Sequence, residues 1–188
     1  MSELFCEYVI KQRPEGSALI KRIILIAAYV LIFLLPLTVA LIDAPAGWFI
    51  PIILTSAAID AIFIFITWRF MSLEFEFVID TEDMTVTKIW GGRIRKKVFS
   101  MPIEKMTEIG IYDDSAYEEI CKLSIRENIL CVSSLSAPVM YYALYSSDKD
   151  QGIIYFEATS EAIALLKKQN SGAFRAAANR IKDKKIKE

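Results

Sequence analysis

The sequence predicts a membrane α-helical hairpin joined to an α+β domain, a small antiparallel β-barrel or sandwich closed by a C-terminal helix. Three observations predict it. Two apolar runs, 23–42 and 48–68, are each about twenty residues long and are separated by five residues that include Asp43, Pro45 and Gly47. At Met71 the hydrophobic period changes from helical to alternating, and turn residues then recur at strand spacing. The last stretch, from Thr159 onward, returns to a capped helical pattern. The chain accordingly divides into a cytoplasmic segment 1–22, the hairpin 23–68, a β-rich domain with its closing helix 71–171, and a basic tail 172–188.

The first run has no charged residue, and a helix rising about 1.5 Å per residue then covers the roughly 30 Å hydrocarbon core. Pro36 removes one backbone donor, so a bend is expected one turn earlier, near 32–35. The second run carries Trp48 and Trp68 at its ends, where indole N–H groups anchor at headgroup level. A cleaved signal peptide fits poorly: some twenty mostly polar residues precede the first run, and no small-residue cleavage pattern follows it. Lys11, Arg13, Lys21, Arg22 and Arg69 flank the runs, while the connecting loop holds no base, which predicts a multi-pass protein of the cell membrane with both termini cytoplasmic.

Asp60 is the anomaly of the hairpin. A charge at that depth costs about 2.5 to 3.5 kcal/mol on insertion scales, so it needs a compensating contact. Counting equal depths on antiparallel helices sets it level with Tyr29, the candidate partner of an intramembrane polar pair. Ser56, Ala57 and Ala61 supply small residues through which helices approach closely, within one hairpin or between copies.

Of the 188 residues 54% are hydrophobic, and the mean hydropathy is +0.37, too apolar for an ordinary soluble domain. The net charge of −1 hides an asymmetry: residues 71–171 hold 11 bases and 16 acids, residues 172–188 six bases and two acids. An acidic domain argues against a nucleic-acid partner. There is no histidine, which removes Ser-His and Cys-His pairs and most zinc sites. Cys6, Cys121 and Cys131 have no metal or redox spacing and read as reduced packing residues. Asp113, Asp114, Glu118 and Glu119 lack the spacing and glycine of a calcium loop, and no phosphate-cradling or nucleophile-elbow motif occurs. No catalytic residue, metal or cofactor is therefore expected.

In chain order, Leu4, Phe5, Tyr8, Val9 and Ile10 are spaced as one side of an amphipathic turn or of a strand, ahead of Pro14 and Gly16. The pattern leaves open whether they lie on the membrane, pack on the domain or stay disordered. Phe75, Phe77 and Ile79 form one face of a strand, 80–83 is a turn, and 84–90 is a second strand. Gly91-Gly92 supplies a tight turn, and 93–100 returns with bases at Arg93, Arg95, Lys96 and Lys97. Strands follow at 106–112, 122–126, 129–132, 139–145 and 153–156, with a polar acidic connection at 113–119 that has room for one helical turn. Thr159 or Ser160 caps a helix with the stripe Ala162, Ile163, Leu165 and Leu166, which is interrupted at 170–172. Beyond it, Phe174, Ala177, Ala178 and Ile181 lie at helical spacing beside Arg175, Arg180, Lys182, Lys184 and Lys185, candidate contacts to lipid headgroups if the helix is not simply solvated.

The stretches Ile79-Asp80-Thr81-Glu82-Asp83-Met84, Gly91-Gly92-Arg93-Ile94-Arg95-Lys96-Lys97 and Met101-Pro102-Ile103-Glu104-Lys105-Met106 resemble the hairpins and strand entry of bacterial two-span membrane proteins with a cytoplasmic pleckstrin-homology-like domain, a family of unknown function. The resemblance implies a fold and a membrane setting but no activity. Phosphoinositide binding does not carry over, because the first hairpin turn is Thr81-Glu82-Asp83, which repels phosphate. The expected function is a membrane-anchored interaction or scaffold module whose partners are the lipid bilayer and another protein or a second copy; the alternative is an accessory subunit of a transporter or channel that uses Asp60.

Overall fold

A computed structural model describes residues 5–43, 45–146 and 151–187; Leu4 and Ala44 lie outside them. The strands are β1 (Cys6–Lys11), β2 (Leu73–Ile79), β3 (Asp83–Trp90), β4 (Ile94–Pro102), β5 (Met106–Ile111), β6 (Glu127–Cys131), β7 (Tyr141–Ser146) and β8 (Gln151–Phe156). The helices are α1 (Ser17–Asp43), α2 (Phe49–Phe70), α3 (Asp114–Ile120), α4 (Ser160–Gln169) and α5 (Ser171–Lys187). They form two units: residues 13–73, with α1 and α2, and residues 1–12 together with 74–188.

α1 begins at Ser17, six residues before the first apolar run, and continues through Pro36. A short 3-10 turn, Ala46–Trp48, leads into α2. Both helices are long and apolar enough to cross a membrane, over Ala18–Ile42 and Phe49–Trp68, and only 12% and 6% of their most apolar windows are buried. Tyr29 and Ala40 are buried on α1, Ser56 on α2, and the Tyr29 and Thr67 hydroxyls share a hydrogen bond across the pair.

The β-unit has two four-stranded sheets, in the orders β1-β2-β3-β4 and β5-β7-β8-β6, and among the described residues no closed barrel. Residues 6–11 belong to this unit and not to a separate terminal segment. β1 pairs antiparallel with β2 from Cys6↔Ile79 to Lys11↔Glu74, so the hairpin is inserted in sequence between two paired strands. Tyr8 packs on Phe77 with ring centroids 4.9 Å apart, and its hydroxyl donates to the Glu157 carbonyl.

The expected meander also changes in the second sheet. Residues 121–126 turn out of α3 instead of forming a strand, with Lys122 and Leu123 amides donating to Glu119 and Ile120 carbonyls. Asp113 caps α3 by accepting from the Ala116 amide, which extends the expected single turn to seven residues. β6 then runs parallel to β8, from Glu127↔Gly152 to Cys131↔Phe156, so the unit is not wholly antiparallel.

The core joins both sheets and the closing helix: Phe77, Ile79, Met84 and Val86 from the first, Ile109, Tyr142, Ile153, Ile154 and Phe156 from the second, and Leu166 from α4. Thr159 caps α4 through the Ala162 amide. Asn170 then ends α4 and starts α5. Its Nδ2 donates to the Ile103 and Met106 carbonyls, and its Oδ1 accepts from Ala173.

Candidate functional site

Three groups of polar residues stand out, and the first lies in the hairpin. The Thr67 hydroxyl donates its proton to the Phe63 carbonyl at 2.5 Å, so Tyr29 must be the donor in the bond between them. Tyr29 is thus committed to Thr67, and it makes no hydrogen bond with Asp60. The predicted pair fails because helical side chains lean toward their own N-terminus. On antiparallel helices that tilts Tyr29 away from the loop and Thr67 toward it, moving the match about one to two turns beyond Asp60. Asp60 Oδ1 and Ser56 Oγ, one turn apart on α2, are buried with no hydrogen-bond partner. Ala57 and Ala61, by contrast, are exposed, while Ser56 is buried. At the other end of the pair Arg22 lies 5.9 Å from the Trp68 ring and donates to the Met71 carbonyl.

The second group was not anticipated. Glu108 on β5 is only 3% exposed; it accepts the Tyr142 hydroxyl at 2.6 Å and pairs with Arg180 Nη2 at 2.7 Å. Burial, and then the carboxylate beside it, push the Tyr142 hydroxyl well above the ordinary tyrosine range. Arg180, a candidate lipid contact in the sequence, is thus paired within the β-unit, with its side chain 31% exposed. Arg175 is exposed, and the side chains of Lys182, Lys184 and Lys185 lie outside the described residues. On α5 Ala173 and Ala177 are buried and Arg180 is half-buried, whereas of the predicted stripe Phe174 is half-buried, Ala178 is exposed and the Ile181 side chain lies outside the described residues. Gly110 makes room for the helix: a Cβ there would sit 3.0 Å from both Ala177 Cβ and the Tyr142 ring. A carboxylate inside the short apolar strand and an arginine seven residues after Ala173 were the signals in the sequence.

The third group surrounds the turn between β2 and β3. Thr81, Glu82, Asp83, Pro102, Ile103, Glu104 and Gln169 line a cavity of about 390 Å³. The Asp83 and Glu82 amides donate to Asp80 Oδ1, each at 2.8 Å, and hold its carboxyl below the usual range. Three carboxylates around the opening make it unfit for a phosphate. No cluster of metal-ligating side chains occurs among the described residues.

The β-unit thus has two four-stranded sheets followed by α4, with an apolar helix pair inserted in sequence between its first two strands. The chain belongs to the family described as bacterial PH-like domain (DUF6106), whose model matches residues 2–175 and so spans the hairpin as well as the sheets. No curated protein and no solved structure matches the chain.

Proposed function

We propose that the protein is a membrane-anchored, non-catalytic interaction module, with the α1–α2 hairpin in the bilayer and the β-unit on the cytoplasmic side. The observation that carries this reading is the β1–β2 pairing. Strands before and after the hairpin share one folded unit, so they lie on one side of any membrane, and the helices between them cross it twice or not at all. Few residues of either helix are buried, which argues against core helices of a soluble protein. Lys11, Arg13, Lys21 and Arg22 ahead of the hairpin favour the cytoplasmic side. With no histidine, metal cluster or phosphate-cradling loop among the described residues, docking of a protein partner on the β-unit is the function that remains best supported.

Co-purification from native membranes tests this. Lys11 and Glu74 are paired neighbours, so Asn-Gly in place of residues 12–73 should close β1 and β2 with a two-residue turn. A stoichiometric partner retained by both this soluble form and the full chain supports docking on the β-unit. A partner retained only with the hairpin refutes it. That result would favour the second reading, an accessory subunit of a transporter or channel, which rests on the unpartnered Asp60 Oδ1 and Ser56 Oγ. In that case Asp60→Asn abolishes the coupled activity of the complex, whereas for a scaffold it leaves the partner bound.

A further inference from the structure

The turn between β3 and β4 carries a charge pattern that the fold does not use. Gly91 and Gly92 adopt positive φ angles of 58° and 69°, the geometry of a two-glycine hairpin turn. A half-buried strand alternates, yet every residue from Gly92 to Lys97 is exposed, Ile94 by 50%. This end of β4 lies outside the core, although Ile89, opposite Arg95 on β3, is buried. Only Arg95 finds a carboxylate, Glu76 at 3.1 Å. Arg93, Lys96 and Lys97 have no acidic partner among the described residues. Lys96 even stands directly opposite Lys88 in the register, an arrangement of like charges that weakens a sheet.

Strand order fixes where this turn lies. β1 ends at Lys11 and β2 begins at Leu73, beside Lys11's partner Glu74; β2, β3 and β4 then follow as neighbours in the sheet. The Trp90–Ile94 turn is thus at the sheet end from which the chain leaves for α1 and to which it returns from α2, opposite the acidic Asp80–Asp83 turn. Lys88 confirms the level, its Nζ lying 5.8 Å from the Phe75 ring and 5.2 Å from that of Trp90. Trp90 adds a half-buried indole of the type that settles at headgroup depth.

We propose that this turn is a contact surface for anionic phospholipid headgroups, engaged by Arg93, Lys96 and Lys97 and by the Trp90 ring. The inference rests on the reading of the hairpin as a membrane anchor and adds the lipid class that the tethered end of the sheet meets. Charge complementarity selects an acidic surface, and the tether to α1 and α2 selects the surface of the same bilayer. Each base near an anionic leaflet favours the docked state about fivefold, so three together favour it about a hundredfold. Salt screens such contacts within roughly 10 Å.

The test uses the full chain with Trp48→Phe and Trp68→Phe, which leaves Trp90 as its single indole. The protein is reconstituted in vesicles of phosphatidylcholine alone or mixed with phosphatidylglycerol, doped with a headgroup spin-labelled lipid that quenches tryptophan. The expected result is quenching that rises with phosphatidylglycerol and returns to the phosphatidylcholine level in high salt or with R93Q/K96Q/K97Q. Lys167→Gln, at an exposed base on α4, leaves it unchanged. Quenching indifferent to lipid charge, or unaltered by the triple substitution, overturns the proposal. In the unsubstituted protein, anionic lipid should also slow tryptic cleavage at Arg93, Lys96 and Lys97, and equal rates in both lipids would overturn it too. Failure to float with vesicles refutes the anchor reading itself, whereas flotation with charge-independent quenching refutes only this surface.

Discussion

Arg180→Met tests whether α5 is fixed to β5 by a buried ion pair. The substitution keeps the aliphatic length but strips Glu108, whose side chain is 4% exposed, of its cation and leaves Tyr142 as its one side-chain donor among the described residues. Breaking a buried pair by removing one partner costs about 3 to 5 kcal/mol, and the Arg180 side chain is 31% exposed, so the lower end, about 3 kcal/mol, applies. If α5 opens as a local unit, its amides should then exchange with deuterium roughly a hundredfold faster, while those of β3 and β4 stay protected. The double variant E108Q/R180M removes the buried charge and should recover most of the loss, settling about 1 kcal/mol below the wild type. Exchange in Arg180→Met within a few-fold of wild type, or a double variant no better than the single, would refute the reasoning.

Three further outcomes follow from the β-unit. Gly152→Ala would bring a Cβ within 2.3 Å of a Tyr145 ring held by Glu127, so the variant should lose about 2 kcal/mol in chemical denaturation; a shift below about 0.5 kcal/mol would contradict the packing. Burial pushes the Cys131 thiol up to about 12, so a disulfide reagent at neutral pH should modify exposed Cys121 in the native protein and reach Cys131 only on unfolding. Burial, more than the nearby Tyr112, raises Tyr155 from 10.0 to about 12. The folded state thus favours the neutral phenol, and its contribution to stability is complete below about pH 10 and is lost as pH rises from 10 to 12. Tyr155→Phe should flatten that alkaline limb, and an unchanged slope would assign the loss to other groups.

The hairpin was legible because twenty uncharged residues and paired indoles are local signals. So were β2, β3 and the Gly91-Gly92 turn, where alternation and glycine speak for themselves. What escaped was non-local. Residues 6–11 have a strand pattern, but their partner Glu74–Ile79 follows only after the whole hairpin, and nothing within the segment names it. The Asp60 and Tyr29 match counted Cα depth and ignored the opposed lean of side chains on antiparallel helices. A basic tail makes Arg180 a candidate lipid contact or a solvated base, whereas its helical phase with Ala173 and Ala177 turns it toward Glu108. The parallel placement of β6 depends on α3 and the turn after it, where the strand pattern of residues 122–126 is overridden by amides that donate back to the Glu119 and Ile120 carbonyls.

The central claim is that a double crossing separates the 43–48 loop from the β-unit, and accessibility of two cysteines tests it most directly. Gly47 is exposed with open space around it, so Gly47→Cys marks the loop, while native Cys121 marks the β-unit. A membrane-impermeant maleimide added to intact cells should label Gly47→Cys at once and Cys121 only after permeabilisation. Labelling of both positions on the same side of the membrane would contradict the account.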